Sequence, residues 1–229
     1  MVTVLHAEMF SEAEAARLLD LPQSTLHYWL EGGTRRGVKY APILRSEPQG
    51  GRAVTWAEFV EAGLLRQYRR RDRVPMKELR AFIDKLRTEL GVPYPLADRR
   101  PYAVNKELVH QAQISAGLAP EWHMVAEVSG QLLLTGPSEQ FFDRVDWEGD
   151  LAAGWRPTAD EKSTVRIRPD TRFGRPAVKG ISTATIWEQA DSGEDVEYLA
   201  KLFHLTVPDV RWALAYEESR RASSSNRAA

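Results

Sequence analysis

Two groups of polar side chains in the first quarter of the chain have types and spacing suited to hydrogen bonding and to anion binding. The first group is almost uncharged and consists of Ser24, Thr25, His27 and Tyr28. Side chains of this kind match the donors and acceptors on base edges in the major groove of DNA. The second group is basic and consists of Arg35, Arg36, Lys39 and Arg52. Since guanidinium and ammonium groups bind phosphates, the sequence predicts a surface for duplex DNA.

A helix-turn-helix pattern over Phe10–Gly33 would position the first group. Ser11 with Glu14 forms a capping box at the start of one helix, and Pro22 can open the next. The second helix has an apolar face, formed at i, i+3 and i+4 spacing by Leu26, Trp29 and Leu30. The uncharged polar group is therefore expected to face outward. The alternative interpretation is an ordinary helical hairpin with a polar outer face.

The basic group falls in a segment that resembles a wing. Gly32-Gly33 ends the second helix, and the sequence TRRGVK brings Arg35, Arg36 and Lys39 into a loop. Tyr40–Arg45 and Arg52–Thr55 are predicted to be short strands, joined by a Gly- and Pro-containing turn over residues 46–51. Basic side chains on such a ribbon would meet the phosphates beside a recognition helix.

Two amphipathic helices are predicted after the wing. Thr55 with Glu58 repeats the capping-box pattern, and the apolar face that follows is formed by Phe59, Val60, Leu64 and Leu65. This helix runs into a basic series: Arg66, Arg69, Arg70, Arg71 and Arg73. Val74-Pro75 ends it. The apolar face of the next helix is formed by Met76, Leu79, Phe82, Ile83 and Leu86.

This order of parts resembles the DNA-binding domain of MerR-family regulators over about residues 8–90. The matching segments are SEAEAARLLDLPQSTLHYW, GGRAVTWAEFVEAGLLRQYR and VPMKELRAFI. The resemblance implies dimeric binding to DNA, with the uncharged polar group in the groove and Arg52 on a phosphate beside the wing. Two departures stand out, since the wing loop is longer than in the family and no long uninterrupted helix follows for dimerisation. With no cysteine in the chain, a thiol metal sensor is excluded.

Length and charge favour more than one domain. The 229 residues are 43% hydrophobic, which supports a sizeable core. Residues 1–105 contain 17 Lys+Arg against 13 Asp+Glu, a net charge of +4, whereas residues 106–229 contain 14 against 19, a net charge of −5. We therefore expect only the first half to meet nucleic acid. No signal peptide or membrane-spanning run is recognisable, and the absence of cysteine fits a cytoplasmic protein.

The middle of the chain, about residues 91–163, has weaker patterns. Residues 91–104 are Pro-rich and are predicted to form a linker or an extended segment. Strand-like composition occurs at Lys106–Ile114, Trp122–Val128 and Gln131–Thr135, with a hairpin turn at Ser129-Gly130. The sequence SEQFFDRVDW is predicted to be a short helix capped by Ser138. The excess of acidic residues here fits either a site for a basic partner or a solvated surface.

The C-terminal region has clearer elements. The strand-like sequence VRIRP precedes a turn at Gly174-Arg175-Pro176 and a second short strand that ends at Gly180. Three helices are predicted next: Thr183 to Ala190, Glu194 to Phe203, and a third that Thr206 and Asp209 cap. The tail, residues 219–229, is expected to be disordered.

This region resembles the domain-of-unknown-function family 433 over about residues 164–218. The matching residues are Asp170, Gly174, Arg175, Pro176, Gly180, Ile181, Gly193, Val196, Leu199, Ala200, Val210, Ala213, Leu214 and Tyr216. Members of that family occur as antitoxins, often beside PIN-like ribonuclease toxins. A MerR-like domain followed by this one resembles VapB-type antitoxins. The resemblance implies two partners, operator DNA and a PIN-type ribonuclease toxin.

The last predicted helix is poorly suited to DNA. It carries Asp209, Glu217 and Glu218 against Arg211, and carboxylates repel phosphates. A protein surface, for self-association or for a partner, fits better, although the aromatic residues here can equally be core. The candidate partner-binding residues are Arg172, Arg175, Trp187, Arg211, Trp212, Tyr216, Arg220 and Arg221.

The expected fold is α+β, mainly α with small β elements. It comprises a winged helix-turn-helix domain (1–105), an acidic β-containing region (106–163), a trihelical helix-turn-helix-like domain (164–218) and a tail (219–229). We expect a homodimer and no enzyme, since the chain has no phosphate-binding loop, dinucleotide fingerprint or serine-nucleophile motif. No cofactor and no metal site are expected. The alternatives are a metal-dependent nuclease built from the acidic middle, and a small-molecule-sensing regulator with a pocket near Trp122 or Trp155.

Overall fold

The chain forms an α+β protein that divides into two compact units. The computed structural model describes residues 4–70, 74–98, 102, 106–129, 131–135, 139, 140 and 142–228. The first unit comprises Met1–Asp143 and Trp147–Ala152, and the second comprises Arg144–Asp146 and Ala153–Ala229. The predicted fold class is confirmed, because the described residues form helices and small two-stranded sheets. None of the helices they form is both long and apolar enough to span a bilayer.

The predicted helix-turn-helix is present in the first unit. Helix α1 (Glu12–Leu18) is capped by Ser11, whose Oγ accepts a hydrogen bond from the Glu14 N–H at 3.2 Å. Helix α2 (Gln23–Glu31) begins directly after Pro22, which has extended backbone angles. The three inward residues predicted for α2 are all buried. Local capping and helical spacing therefore determine this part of the fold.

The wing differs from its prediction. Strand β1 (Glu8–Ser11) pairs with β4 (Ala53–Thr55), whereas β2 (Gly33–Arg35) pairs with β3 (Val38–Tyr40). Residues 41–45, predicted to be a strand, instead form an irregular connection whose last four residues are buried. The hairpin forms earlier because Arg36 and Gly37 both have positive φ (52° and 77°), the geometry of a two-residue type I′ turn.

Two long helices complete the support for the helix-turn-helix. Helix α3 (Trp56–Arg70) starts with the predicted capping box: the Thr55 N–H donates to Glu58 Oε2 at 2.8 Å, and the Glu58 N–H donates to Thr55 Oγ1 at 3.3 Å. Helix α4 (Met76–Leu90) starts after Pro75 and ends at Gly91, which has a left-handed conformation. Of the basic series at the end of α3, Arg71 and Arg73 lie outside the described residues.

The middle of the chain requires two corrections. Residues Lys106–Ser115 form a helix, α5, and not the predicted strand, since Val109 and Gln113 are buried at helical spacing. The Pro-rich segment is not a free linker, because Leu96, Ala97 and Asp98 are buried. The composition of both segments is compatible with either state, and burial of their apolar residues decides between them.

A hairpin predicted in the same region is confirmed. Strand β5 (Val125–Val128) pairs in an antiparallel arrangement with β6 (Gln131–Leu134), although Gly130 of the predicted turn lies outside the described residues. Ser138, the predicted cap of a short helix, also lies outside them. Residues 139, 140 and 142 are helical, but strand β7 (Val145–Glu148) replaces the end of that predicted helix. Strand β8 (Leu151–Trp155) follows.

The second unit is built on three helices. Strands β9 (Ala177–Val178) and β10 (Ile181–Ser182) precede α6 (Thr183–Asp191), α7 (Val196–Leu202) and α8 (Val207–Ala228). The predicted strand VRIRP forms single bridges, one from Arg166 to Ala177 and one from Ile167 to Trp155. The core of the unit consists of Val165, Val178, Ile186, Leu199, Ala200, Leu205, Val210 and Ala213.

The predicted disordered tail is helical as far as it is described. Helix α8 continues through residues 219–228, where a disordered segment was expected. No glycine or proline follows Pro208 in the sequence. Because alanine and arginine favour helix and nothing interrupts the hydrogen-bond ladder, the helix extends beyond the core it packs on.

Candidate nucleic-acid interface

The outward face of α2 carries the four uncharged polar residues as predicted. Ser24 and His27 are exposed, whereas Thr25 and Tyr28 are half-buried. The opposite face is anchored by Trp29, which is 2% exposed, so the helix cannot rotate about its axis. The packing of α2 therefore holds these side chains on one surface of the first unit.

His27 is oriented by a buried carboxylate that the sequence did not single out. Its Nδ1 lies 2.9 Å from Oε1 of Glu12, and the Glu12 side chain is 2% exposed. A carboxylate only accepts, so Nδ1–H is the donor. In the neutral imidazole, Nε2 is then the acceptor, and the amino groups of cytosine and adenine are donors in the major groove. Glu12 thus fixes which ring nitrogen His27 presents.

The ring of Tyr28 contacts Arg35 and Tyr40, two residues of the segment that follows α2. The guanidinium carbon of Arg35 lies 3.9 Å from the centroid of its ring, and the ring of Tyr40 lies 6.4 Å away in an edge-on arrangement. Stacking of this kind is favourable because the ring face is negative. Tyr28 is therefore a platform that positions Arg35, and its ring face is already occupied.

The wing hairpin (residues 33–40) carries three of the predicted phosphate-binding residues. Arg36 is at the tip of its turn, and Arg35 and Lys39 lie on its two strands; all three are exposed. Arg52 is not on this hairpin. It is an exposed residue before β4, and its carbonyl accepts a hydrogen bond from the Glu12 N–H at 3.0 Å. The structure therefore groups the first three residues and separates Arg52 from the wing strands.

A groove of about 1000 Å³ lies between the wing hairpin, α2 and the facing ends of α3 and α4. We call it the wing groove. Six cationic side chains line it, and among the described residues of its lining there is no carboxylate. The lining residues are Leu21, Pro22, Thr25, Tyr28, Trp29, Arg35, Arg36, Val38, Tyr40, Arg66, Arg69, Met76, Lys77 and Arg80. A concentration of positive charge beside polar α2 is suited to a polyanion.

Several of these cations were not predicted as site residues. Lys77 and Arg80 lie three residues apart at the start of α4, and the sequence signal that could have found them is their i, i+3 spacing on its polar face. Arg80 donates hydrogen bonds to the carbonyls of Ala41 and Pro42, at the base of the wing hairpin. Arg66 pairs with Asp20 at 2.7 Å. These contacts attach α3 to the turn between α1 and α2, and α4 to the connection after the wing hairpin.

A buried ionic cluster holds the connection after the wing hairpin. The guanidinium of Arg45, only 2% exposed, pairs with Glu31 and with Glu58, whose Oε1 lies 2.7 Å from its Nε. We call these three residues the Arg45 cluster. Burial alone would lower the pKa of Arg45, but its hydrogen bond to Glu58 and the charges of Glu58 and Glu31 raise it. The guanidinium of Arg45 therefore keeps its positive charge.

The predicted partner-binding residues of the second unit are only partly brought together. Glu217, which is 1% exposed, accepts hydrogen bonds from Arg220 at 2.9 Å and from Thr183 Oγ1 at 2.6 Å. Arg221 lies over the ring of Trp187, with its guanidinium carbon 3.5 Å from the centroid. Trp187, Arg220 and Arg221 thus form one surface on α6 and α8.

The remaining predicted partner-binding residues differ in burial and in the contacts that they make. Trp212 and Tyr216 are half-buried and pack against the core. Arg211 and Arg175 are exposed, and Arg172 Nε donates to the Gly180 carbonyl at 2.8 Å. Within the part of the chain that the structure describes, no three His, Cys, Asp or Glu side chains are grouped as a metal site requires.

Fold and site together define an α+β protein with a helix-turn-helix, an adjoining β-hairpin and a cationic groove between them. No model of a known protein family matches the chain. It is 31% identical to the uncharacterized protein Rv2308 of Mycobacterium tuberculosis, over 96% of this chain and 94% of that protein, and it belongs to the same family.

Two further comparisons extend this result. The chain is 26% identical to a protein of Mycobacterium tuberculosis named "Putative antitoxin VapB45", over 90% of this chain and 92% of that protein. The crystal structure of Rv2018 from the same organism superposes with a TM-score of 0.71 at 23% identity, covering 91% of this chain and 98% of that one. The solved structure shows that the fold is shared.

Proposed function

We propose that this protein is the antitoxin of a type II toxin–antitoxin system, which binds operator DNA through its first unit and a PIN-type ribonuclease toxin through its second. The observation that carries the DNA-binding half is the wing groove, with six cations beside the polar face of α2. The toxin-binding half is supported by the relative that bears an antitoxin name.

In the proposed DNA complex the two groups of residues have separate tasks. Ser24, Thr25 and His27 contact base edges, since they lie on the outward face of α2. The cations of the wing groove and the exposed Lys39 contact phosphates, which fixes the register of α2 without reading sequence. Tyr28 acts through Arg35, on which its ring is stacked.

The second unit is proposed to block the toxin by occlusion. A PIN-type site needs clustered carboxylates that hold a divalent cation, because the metal activates water and neutralises phosphate charge. An arginine inserted into such a site would compete with the metal. Arg220 is already held by Glu217, and Arg221 is stacked on Trp187. Because both arginines already have partners within the chain, we favour a mechanism in which the helical surface covers the active site of the toxin over one in which either arginine is inserted into it.

Binding to DNA that spans the protein's own promoter tests the first half. Arg36→Ala and Lys77→Ala should each weaken binding to all sequences and lower the slope of log K against log salt by about 1, as expected for loss of one phosphate contact. Lys85→Ala is the matched control, since it removes the same charge from α4 outside the groove. Salt-independent binding, or none, would overturn the proposal.

Co-expression with the product of the neighbouring gene tests the second half. The full chain should restore growth and purify as a complex, and the double variant Arg36→Ala/Lys77→Ala should do so equally well, because the groove is not used for the toxin. A regulator that senses a small molecule would form no such complex. A neighbour that is not a nuclease, or a rescue that requires the groove residues, would contradict the assignment.

A further inference from the structure

The second unit presents one large aromatic side chain almost entirely to solvent. Phe173 is 88% exposed, more than any other large hydrophobic side chain in the described residues. Single exposed hydrophobic residues are common on protein surfaces. Phe173 is unusual because of the backbone that carries it.

The turn that carries Phe173 is held in an uncommon conformation. Arg172, Phe173 and Gly174 all have positive φ, at 52°, 54° and 73°. A β-carbon makes this region unfavourable, and the first two residues have one. Backbone strain of this kind persists only where the surrounding structure fixes it, and it concentrates at binding sites.

Hydrogen bonds fix the turn on both sides. The Gly174 N–H donates to the Thr171 carbonyl at 3.1 Å, and the Arg175 N–H donates to the Arg172 carbonyl at 3.1 Å. The side chain of Arg172 reaches back to the Gly180 carbonyl at 2.8 Å. Phe173 is therefore projected from a rigid support, and binding would order little additional backbone.

The charge beside the ring indicates the chemistry of its partner. Arg175 is exposed, and the structure gives its side chain no hydrogen bond or ion pair within the described residues. A phenyl ring and an available guanidinium two residues apart on one exposed turn complement an apolar pocket with a carboxylate at its rim. A nucleic acid is a poorer match, since residues 144–146 and 153–229 carry 13 Lys+Arg against 12 Asp+Glu and so lack a cationic excess.

We propose that residues 172–175 are the anchor through which the second unit binds a partner protein. Phe173 enters an apolar pocket of that partner, and Arg175 pairs with a carboxylate at the rim of the pocket. The proposal deepens the proposed function and rests on it, because the partner is the protein that the antitoxin neutralises. It adds a contact at this turn to the coverage by the α6–α8 surface of Trp187, Arg220 and Arg221.

Replacing Phe173 with asparagine tests this without disturbing the turn. Asparagine tolerates positive φ better than phenylalanine, so Phe173→Asn should keep the melting temperature of the chain while removing the ring. The full-length variant and the purified product of the neighbouring gene should then bind at least about 30-fold more weakly, the loss typical of an interface anchor. Arg175→Glu should weaken the same complex. Ile114→Ala is the matched control, because Ile114 is an exposed large hydrophobic residue on α5 of the first unit, and it should bind like the wild type.

The outcomes separate this inference from the proposed function. If the wild-type chain forms no complex, both are overturned. If the wild type binds and Phe173→Asn binds equally well, the anchor alone is overturned. If Phe173→Asn leaves the complex intact but weakens binding to promoter DNA, the turn belongs to a nucleic-acid surface and the inference is again wrong.

Discussion

A buried carboxylate behind a surface histidine gives the outward face of α2 a fixed chemistry. Because Glu12 accepts the hydrogen of His27 Nδ1, the ring is held in one orientation and Nε2 faces away from the protein. Sequence specificity should therefore depend on Glu12 even though it is 2% exposed and cannot touch DNA itself.

The first prediction concerns this pair. His27→Ala should reduce discrimination between the operator and a mismatched duplex by about 1–3 kcal/mol, the worth of a good base contact. Glu12→Ala should reduce it in the same direction while leaving the salt dependence unchanged, since no phosphate contact is lost. Gel shifts on matched and mismatched duplexes measure both effects. Glu14→Ala removes a neighbouring carboxylate of α1 as a control, and equal discrimination by all variants would contradict the role of His27.

Glu61 is a second residue whose environment dictates its behaviour. It lies fully buried on α3, where Oε1 accepts from the Leu96 N–H at 2.9 Å and Oε2 lies 3.7 Å from the guanidinium of Arg87. Burial raises its pKa from 4.5 to about 8, although the charge of Arg87 and the hydrogen bond from Leu96 oppose this. Folded and unfolded chains therefore bind different numbers of protons at neutral pH.

The second prediction follows from the sign of that shift. Between pH 4.5 and about 8, Glu61 keeps its proton in the folded state and loses it in the unfolded state. The contribution of this group to the free energy of unfolding is therefore complete below pH 4.5 and is lost as the pH rises to about 8. Glu61→Gln should flatten this decline, which for one group is about 1.4 kcal/mol per pH unit. Urea unfolding at pH 5, 7 and 9 measures it. Glu47→Gln, in an exposed loop, should change nothing, and an unaltered slope in Glu61→Gln would refute the buried-proton interpretation.

At the scale of elements, the wing hairpin depends on one glycine at the end of α2. Gly32 has φ 73°, and a β-carbon there would lie 2.3 Å from the carbonyl oxygen of Tyr40. The helix can approach β3 this closely only without a side chain at that position. The position of the wing relative to α2 is thus set by a steric contact.

The third prediction distinguishes the steric clash at Gly32 from the conformational cost of placing a side chain at positive φ. Gly32→Ala should destabilise the protein by more than the roughly 1–3 kcal/mol that an alanine costs in a backbone region favoured only by glycine, and it should weaken DNA binding by displacing the wing hairpin. Gly37→Ala is the matched control, because Gly37 also has positive φ (77°) but a β-carbon there would meet no atom within 4 Å. Urea unfolding followed by tryptophan fluorescence gives both values, and equal losses would contradict the steric argument.

Elements defined by local rules could be predicted, whereas elements defined by distant partners could not. The Thr55–Glu58 capping box and the Thr206–Asp209 box involve residues three apart, and both are present. By contrast, β4 pairs with β1 more than 40 residues earlier, and nothing local indicates that partner. The i, i+3 spacing of Lys77 and Arg80 indicates a cationic face of α4, but only folding brings that face to the wing hairpin.

At the scale of the whole molecule, self-association is the remaining expectation. Helix-turn-helix proteins commonly match the twofold symmetry of their operators with a dimer. Among the described residues, the helix α5 that follows the first four spans only Lys106–Ser115, and the long helix α8 belongs to the second unit. The second unit, with exposed Tyr198 and Leu202 on α7, is the expected site of the interface.

The fourth prediction is therefore a homodimer that requires the second unit. Light scattering should give twice the 25.9 kDa chain mass for the full protein at micromolar concentration, and a monomer for residues 1–152, which contain the whole first unit. Tyr198→Ala/Leu202→Ala should shift the full chain towards monomer by removing apolar contact area. A monomeric full-length protein, or a dimer formed by residues 1–152 alone, would contradict this arrangement.

The Arg45 cluster has a consequence for the motions of the first unit. Besides Arg45, Glu31 binds the backbone N–H groups of Gln49 and Gly50, at 3.0 and 2.8 Å, through its second carboxylate oxygen. If one of these contacts broke, a buried charge would lose part of its compensation. The contacts of Glu31 are therefore expected to break together. The loop that contains Gln49 and Gly50 is exposed to solvent. Its two bound amide hydrogens should nevertheless exchange with water as slowly as those of the surrounding helices. The end of α2, the loop and the start of α3 then share a single opening event.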